Sequence, residues 1–159
     1  MPELEDYRYR GARAMVLLHE RHLRRFVETW RRAKAAGVTL PDTDDSTYLS
    51  METLLQHPLR SARGYMTWMC ECLGLPDPDL PAVPDASTVE RDADAYVNAL
   101  LRGWRAPLRD VPEERFGGRT YTSRWGEEYT IDAMLEHAVM HPIRHAFQLE
   151  ELIERARAD

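Results

Sequence analysis

Glycine and proline cut this chain into four long stretches, and that punctuation limits the fold more than any other feature of the sequence. Gly37, Gly74, the run Pro76, Pro78, Pro81 and Pro84, the Gly117-Gly118 pair and Gly126 all fall outside the segments with helical apolar spacing. In the first segment, from about Glu5 to Ala36, Met15, Leu18, His22, Phe26, Trp30 and Ala33 recur at steps of three and four, with Arg and Glu on the opposite face. The second starts near Ser50, a good N-cap, and ends at Leu73 with Gly74 as its stop. Its face is Leu54, Leu55, Leu59, Ala62, Met66, Met69 and Leu73. Ser87-Thr88-Val89-Glu90 reads as a capping box, opening a third helix that runs to about Leu108. Thr130 can cap a fourth that runs to about Ala156.

These segments predict an all-α protein, a four-helix bundle forming one domain over residues 1–159. The connections are longer than tightly joined bundles use, which leaves room for an order other than simple up-and-down. The segment from Phe116 to Tyr129, FGGRTYTSRWGEEY, differs in kind and predicts a short β-hairpin before the fourth helix. The acidic run from Asp42 to Ser46 lacks the spaced ligands and central glycine of a calcium loop and reads as a solvated turn.

The chain's chemistry concentrates in LEHAVMHPIRHAFQL, from Leu135 to Leu149, where His137, His141 and His145 recur every four residues. Four residues advance an α-helix by about 400°, so the three imidazoles stack along one face and neighbours at this spacing can share a metal ion. His57, among the apolar positions of the second helix, is the natural ligand from a neighbouring helix. Around these histidines the two helices repeat a short pattern, His57-Pro58-Leu59-Arg60 and His141-Pro142-Ile143-Arg144. His19 and His22 lie on the first helix's stripe and read as structural.

Spacing excludes three rival metal sites. Ala138, Val139 and Met140 stand between His137 and His141, where a zincin needs His-Glu-x-x-His. The residues three before each candidate histidine are Leu54, Met134, Ala138 and Pro142, so the Glu-x-x-His of a di-iron bundle is missing. Cys70 and Cys72 are one residue apart, too close for a zinc ribbon, and on a helix they point about 200° apart, which forbids a disulfide between them. A site of three neutral imidazoles leaves coordination positions open, as catalytic sites do, and suits a divalent transition metal.

The net charge of −6, from 21 basic and 27 acidic residues, argues against sequence-independent binding to nucleic acid. MPELEDYRYR carries no apolar run of a signal peptide, no stretch is long and apolar enough to span a membrane, and two unpaired cysteines suit a reducing compartment. The expectation is a cytoplasmic protein with a small-molecule substrate, without nucleic-acid or membrane partners, and able to pair as a homodimer through an exposed helix face.

Over essentially its whole length the chain resembles the DinB-like superfamily of damage-inducible four-helix bundles. The features that carry the resemblance are the second-helix histidine in LLQHPLRSARGYMTWMCECLG, the tryptophan insert RWGEEYT, and the terminal LEHAVMHPIRHAFQLEEL, similar to the pattern L-x-H-x3-H-x3-H-x-x-Q-L. The resemblance implies His57, His141 and His145 as metal ligands, with His137 one turn away on the open side or behind the ligands. It implies one divalent metal, zinc or nickel foremost, and a stress-response enzyme, a thiol-dependent S-transferase or isomerase that uses bacillithiol or mycothiol. Arg60, Arg63 and Arg144 are then candidates to hold the carboxylates of a thiol cosubstrate. Ala146-Phe147 departs from the Arg-Gly usual in the family and gives a more apolar wall. The alternative is a non-catalytic module of the same fold that binds a metal or small ligand, or that dimerises.

Overall fold

The computed structural model describes residues 6–158, which form four α-helices and one small hairpin. Helix α1 spans Arg10–Ala35, α2 Met51–Leu73, α3 Val89–Trp104 and α4 Ile131–Ala158. Strands β1 (Tyr121–Thr122) and β2 (Glu128–Tyr129) pair antiparallel, Tyr121 opposite Tyr129, just before α4. The all-α bundle with a hairpin insert is therefore what the punctuation predicts.

Helix α4 packs most extensively on α1, while α2 lies between α4 and α3. The order round the bundle is α1, α4, α2, α3, so α3 and α4 sit diagonally and simple up-and-down order is broken. This arrangement places the histidine faces of α2 and α4 side by side. Tryptophans pin the helices to one another through backbone carbonyls, which satisfies each indole N–H in an otherwise apolar core. Trp30 Nε1 donates to the Met51 carbonyl at 2.6 Å and Trp104 Nε1 to the Ala62 carbonyl at 3.0 Å.

The ends of the helices show where local sequence signals hold. Ser50 caps α2 through the Thr53 amide at 3.1 Å, and the Thr53 hydroxyl accepts from the Ser50 amide at 2.9 Å. At the other end Gly74 adopts φ 66°, a left-handed conformation that suits glycine, and the helix stops there. Thr130 caps α4, its hydroxyl accepting from the Ala133 amide at 3.1 Å. The capping box expected at Ser87 and Glu90 does not form: α3 begins after Thr88, with no side-chain cap, and the Asp85 carbonyl takes the Thr88 and Val89 amides. Glu90 is drawn instead to Lys34 on α1. Helix α3 also stops at Trp104, short of Leu108, and α1 starts at Arg10. Glu5, the expected start of α1, lies outside the described residues. The chain before α1 is held by other bonds, Tyr7 Oη to the Arg105 carbonyl at 2.7 Å and the Arg8 amide to the Arg109 carbonyl at 2.9 Å.

Cys70 is buried and Cys72 half-buried, both as free thiols. Among the described residues no helix is long and apolar enough to cross a membrane.

His19 shows the cost of a polar ring in this core. It is fully buried, stacks on Trp104 at 3.7 Å between ring centroids, and neither of its ring nitrogens has a hydrogen-bond partner among the described residues. Burial, reinforced by His22, pushes its pKa down to about 3. Between about pH 6.5 and 3 the unfolded chain takes up a proton that the folded chain refuses, so this ring removes stability as pH falls through 6.5. His19→Phe keeps the ring stack and removes both unsatisfied nitrogens. It is expected to add about 1 kcal/mol at pH 7 and to flatten the loss of stability between pH 6.5 and 4, as read from urea midpoints across that range.

Candidate metal centre

Three histidines from two helices meet in the half-buried space between α2 and α4. His57 comes from α2, and His141 and His145, one turn apart, come from α4. Their donor nitrogens all lie within 4.8 Å of one another. His141 Nε2 and His57 Nε2 are 3.0 Å apart. Two nitrogens bound at about 2.0–2.1 Å to one ion, subtending 90–110° there, would be roughly 2.9–3.4 Å apart, so this pair already has the spacing of shared ligands. The full 4.8 Å span is wider than this, so one ring would have to turn for all three nitrogens to reach a single ion.

The electrostatics keep these rings in the ligating form. Burial, then the neighbouring His145 and His57, push His141 down to about 2. Burial, then His57 and Arg144, bring His145 to about 4, against a hydrogen bond with Gln148 and the charge of Asp45. His57 is lowered by burial and by Arg60 and Arg144, with Asp45 opposing. All three imidazoles are thus neutral near pH 7 and offer lone pairs, the state a divalent cation requires. His141 Nδ1 is buried without a hydrogen-bond partner among the described residues. Neutral nitrogens, a paired spacing of 3.0 Å and contributions from two helices fit a transition-metal ion.

A cavity of about 360 Å³ opens beside His57 and His141. Tyr65, Trp68 and Trp125 form its aromatic wall. The hairpin supplies Trp125 and is tied to α2 where Trp68 Nε1 donates to the Thr122 carbonyl at 3.1 Å. Gly126 allows the turn, with φ 92°. Trp125 stacks on His137 with ring centroids 5.4 Å apart and planes at 29°, and Tyr65 and Tyr129 meet the same imidazole edge-on. His137 therefore lines the cavity within an aromatic cluster and stands outside the three-nitrogen group, its pKa lowered by burial and by Arg144. Burial pushes the Tyr65 hydroxyl up to about 12, so it remains a protonated donor near neutral pH.

The structure sorts the arginines differently from the sequence. Arg60 and Arg144 line the cavity. Arg63 does not: its Nε donates to the Leu80 carbonyl at 3.3 Å, which ties the proline-rich connection to α2. Arg124, which the sequence reading missed, joins the wall from the hairpin. So does Gly64 on α2, where an added Cβ would meet the Arg124 guanidinium at 3.6 Å. Asp45 was also missed, because the acidic run reads as a solvated turn. Its carboxylate accepts from the Thr47 amide at 2.9 Å, and its charge reaches both His57 and His145. The same loop touches α4 through the Tyr48 hydroxyl, which donates to Gln148 Oε1 at 3.1 Å. No local pattern marks either contact, since both depend on how the loop lies across the bundle.

Comparison of the chain with protein-family models, curated proteins and solved structures finds no match.

Proposed function

We propose that this protein is a metal-dependent enzyme of the DinB-like type, in which His57, His141 and His145 hold one divalent transition metal, zinc or nickel foremost. The 3.0 Å approach of His57 Nε2 to His141 Nε2, from two helices and across 84 residues of sequence between the histidines, carries the proposal. A metal with open positions lowers the pKa of a thiol or water that reaches it and so supplies a nucleophile at neutral pH. The reaction class we propose is S-transfer or isomerisation with a low-molecular-weight thiol, with activation of water as the simpler variant.

The chain's own residues do the rest. The imidazoles stay neutral because they are buried beside one another and beside Arg144. Trp125, Tyr65 and Trp68 line the cavity and give a flat substrate an apolar surface to lie on. Tyr65, protonated up to about 12, can donate a hydrogen bond into this space, whereas proton removal falls to a group that titrates lower.

Elemental analysis followed by a screen of thiol and electrophile pairs, with and without chelator, tests the proposal. The expected result is about one metal per chain and a turnover that chelation abolishes. Stoichiometric metal without turnover for any pair would favour the second reading, a non-catalytic metal- or ligand-binding module. Absence of metal after incubation with zinc and nickel would overturn the enzyme proposal and the metal-binding form of the second reading.

A further inference from the structure

We infer that the cavity beside the histidines is selective for a small molecule carrying a carboxylate or similar oxyanion on a flat apolar body, with Arg60 and Arg144 as the residues that select the charge. This inference rests on the proposed metal site only for its location. It concerns what the neighbouring cavity admits.

Three observations carry it. The first is the distribution of charge. The chain has a net charge of −6, yet the cavity lining contains Arg60, Arg124 and Arg144 and no carboxylate among the described residues. Asp45, whose field reaches His57 and His145, is not part of that lining. The second is pairing. Eight ion pairs occur between side chains of the described residues, and neither Arg60 nor Arg144 takes part in one or in a hydrogen bond there. Arg124 differs, leaning toward Glu71 at 3.7 Å with both side chains half exposed, and serves the rim more than the selection. Guanidinium groups present donors in a fixed fork that matches a carboxylate, so two of them facing one cavity without acidic partners form an oxyanion receptor.

The third observation is the repeat of sequence between the two helices. In His57-Pro58-Leu59-Arg60 and His141-Pro142-Ile143-Arg144 an arginine follows a histidine by three residues, about one helical turn. Because α2 and α4 lie side by side, the repeat brings two histidines together at 3.0 Å and an arginine from each helix to the cavity wall. The same lining holds the aromatic residues Tyr65, Trp68 and Trp125, and Trp125 is 48% exposed and so available to a planar group. A cavity of about 360 Å³ is at the small end of ligand sites, which limits the occupant to a compact molecule.

Benzoate and benzamide are nearly the same shape and differ in charge, so calorimetric titration of both tests the inference. The measurements use the full chain, once loaded with zinc and once treated with chelator. In the chelated protein benzoate is expected to bind at least about tenfold more tightly than benzamide. Arg144→Gln and Arg60→Gln should each reduce benzoate affinity several-fold and leave benzamide unchanged, and circular dichroism will show that both variants are folded. Equal binding of the two probes in chelated protein overturns the inference, as does a benzoate preference that appears only with zinc and survives both substitutions. A preference that persists in protein unable to bind any metal sinks the proposed metal site and sustains the oxyanion site. Stoichiometric zinc with no charge preference does the reverse.

Discussion

His141→Ala is expected to abolish stoichiometric metal binding, with an affinity loss of at least about 100-fold. Partners that merely orient a ligand are worth about 10–100-fold, and His141 is itself a candidate donor, 3.0 Å from His57 Nε2 and in ring contact with His145 at 4.8 Å. The same substitution separates metal binding from folding. Metal at about 100 times its dissociation constant stabilises a site by about 2.7 kcal/mol, or roughly 5–10 °C in Tm for a domain of this size. The native chain should show that rise when zinc or nickel is added, and the variant should not. Equal shifts in both proteins would place the metal elsewhere. His137→Ala is the control, expected to retain stoichiometric metal because His137 stands outside the three-nitrogen group.

Arg105→Met is expected to cost about 3–5 kcal/mol by leaving the Glu20 carboxylate buried without its main partner. That corresponds to a fall in Tm of roughly 6–20 °C. Glu20 is 5% exposed on α1, and the Arg105 guanidinium bridges it from just beyond α3, with contacts of 2.8, 2.9 and 3.1 Å. Arg24 lies 3.9 Å from the same carboxylate and is much more exposed, so it cannot substitute. The double variant Glu20→Leu with Arg105→Met should recover most of the loss, since an apolar pair of similar size avoids the desolvation cost. Thermal unfolding of the two variants decides the matter. A single variant within 1 kcal/mol of the native chain would mean that the pair is solvated and contributes little.

Much of the bundle is legible in the sequence because its signals are local. The second half of the α1 stripe at Phe26, Trp30 and Ala33, the stop at Gly74 and the caps at Ser50 and Thr130 each depend on neighbours a few residues away. The first half of that stripe is displaced: Met15, Leu18 and His22 are only half-buried, and Ala12, Val16, His19 and Leu23 enter the core instead. The row of histidines is legible for the same reason, since helical spacing alone puts His141 and His145 on one face. The failures are cases of long-range competition. Glu90 has the right spacing from Ser87 for a capping box, but α3 begins one residue later, with Thr88 at its N-cap, and the Glu90 carboxylate pairs with Lys34, far away in sequence. Arg63 and Arg60 are equivalent in composition, and only the return of the 75–86 connection, with Leu80 packed against Gly103, decides that Arg63 faces away from the cavity. Arg124 and Asp45 become part of the site's surroundings only because a hairpin and a loop fold back over helices far away in sequence.

The pairing of α1 with α4 has a consequence for how the chain is made. The most extensive helix contact joins the first helix to the last, so residues 36–130 must be synthesised before α4 begins to appear. At about 5–20 residues per second that interval is on the order of 5–20 s. During it Phe26, fully buried in the finished protein and in ring contact with His145 of α4, lacks part of the surface that will cover it. Helix α1 carries arginine and glutamate around the rest of its circumference, at Arg21, Arg24, Arg25, Glu28, Arg31 and Arg32, all exposed or half-exposed. That charged coat keeps a nascent chain dispersed while its apolar stripe waits for the last helix to emerge from the ribosome.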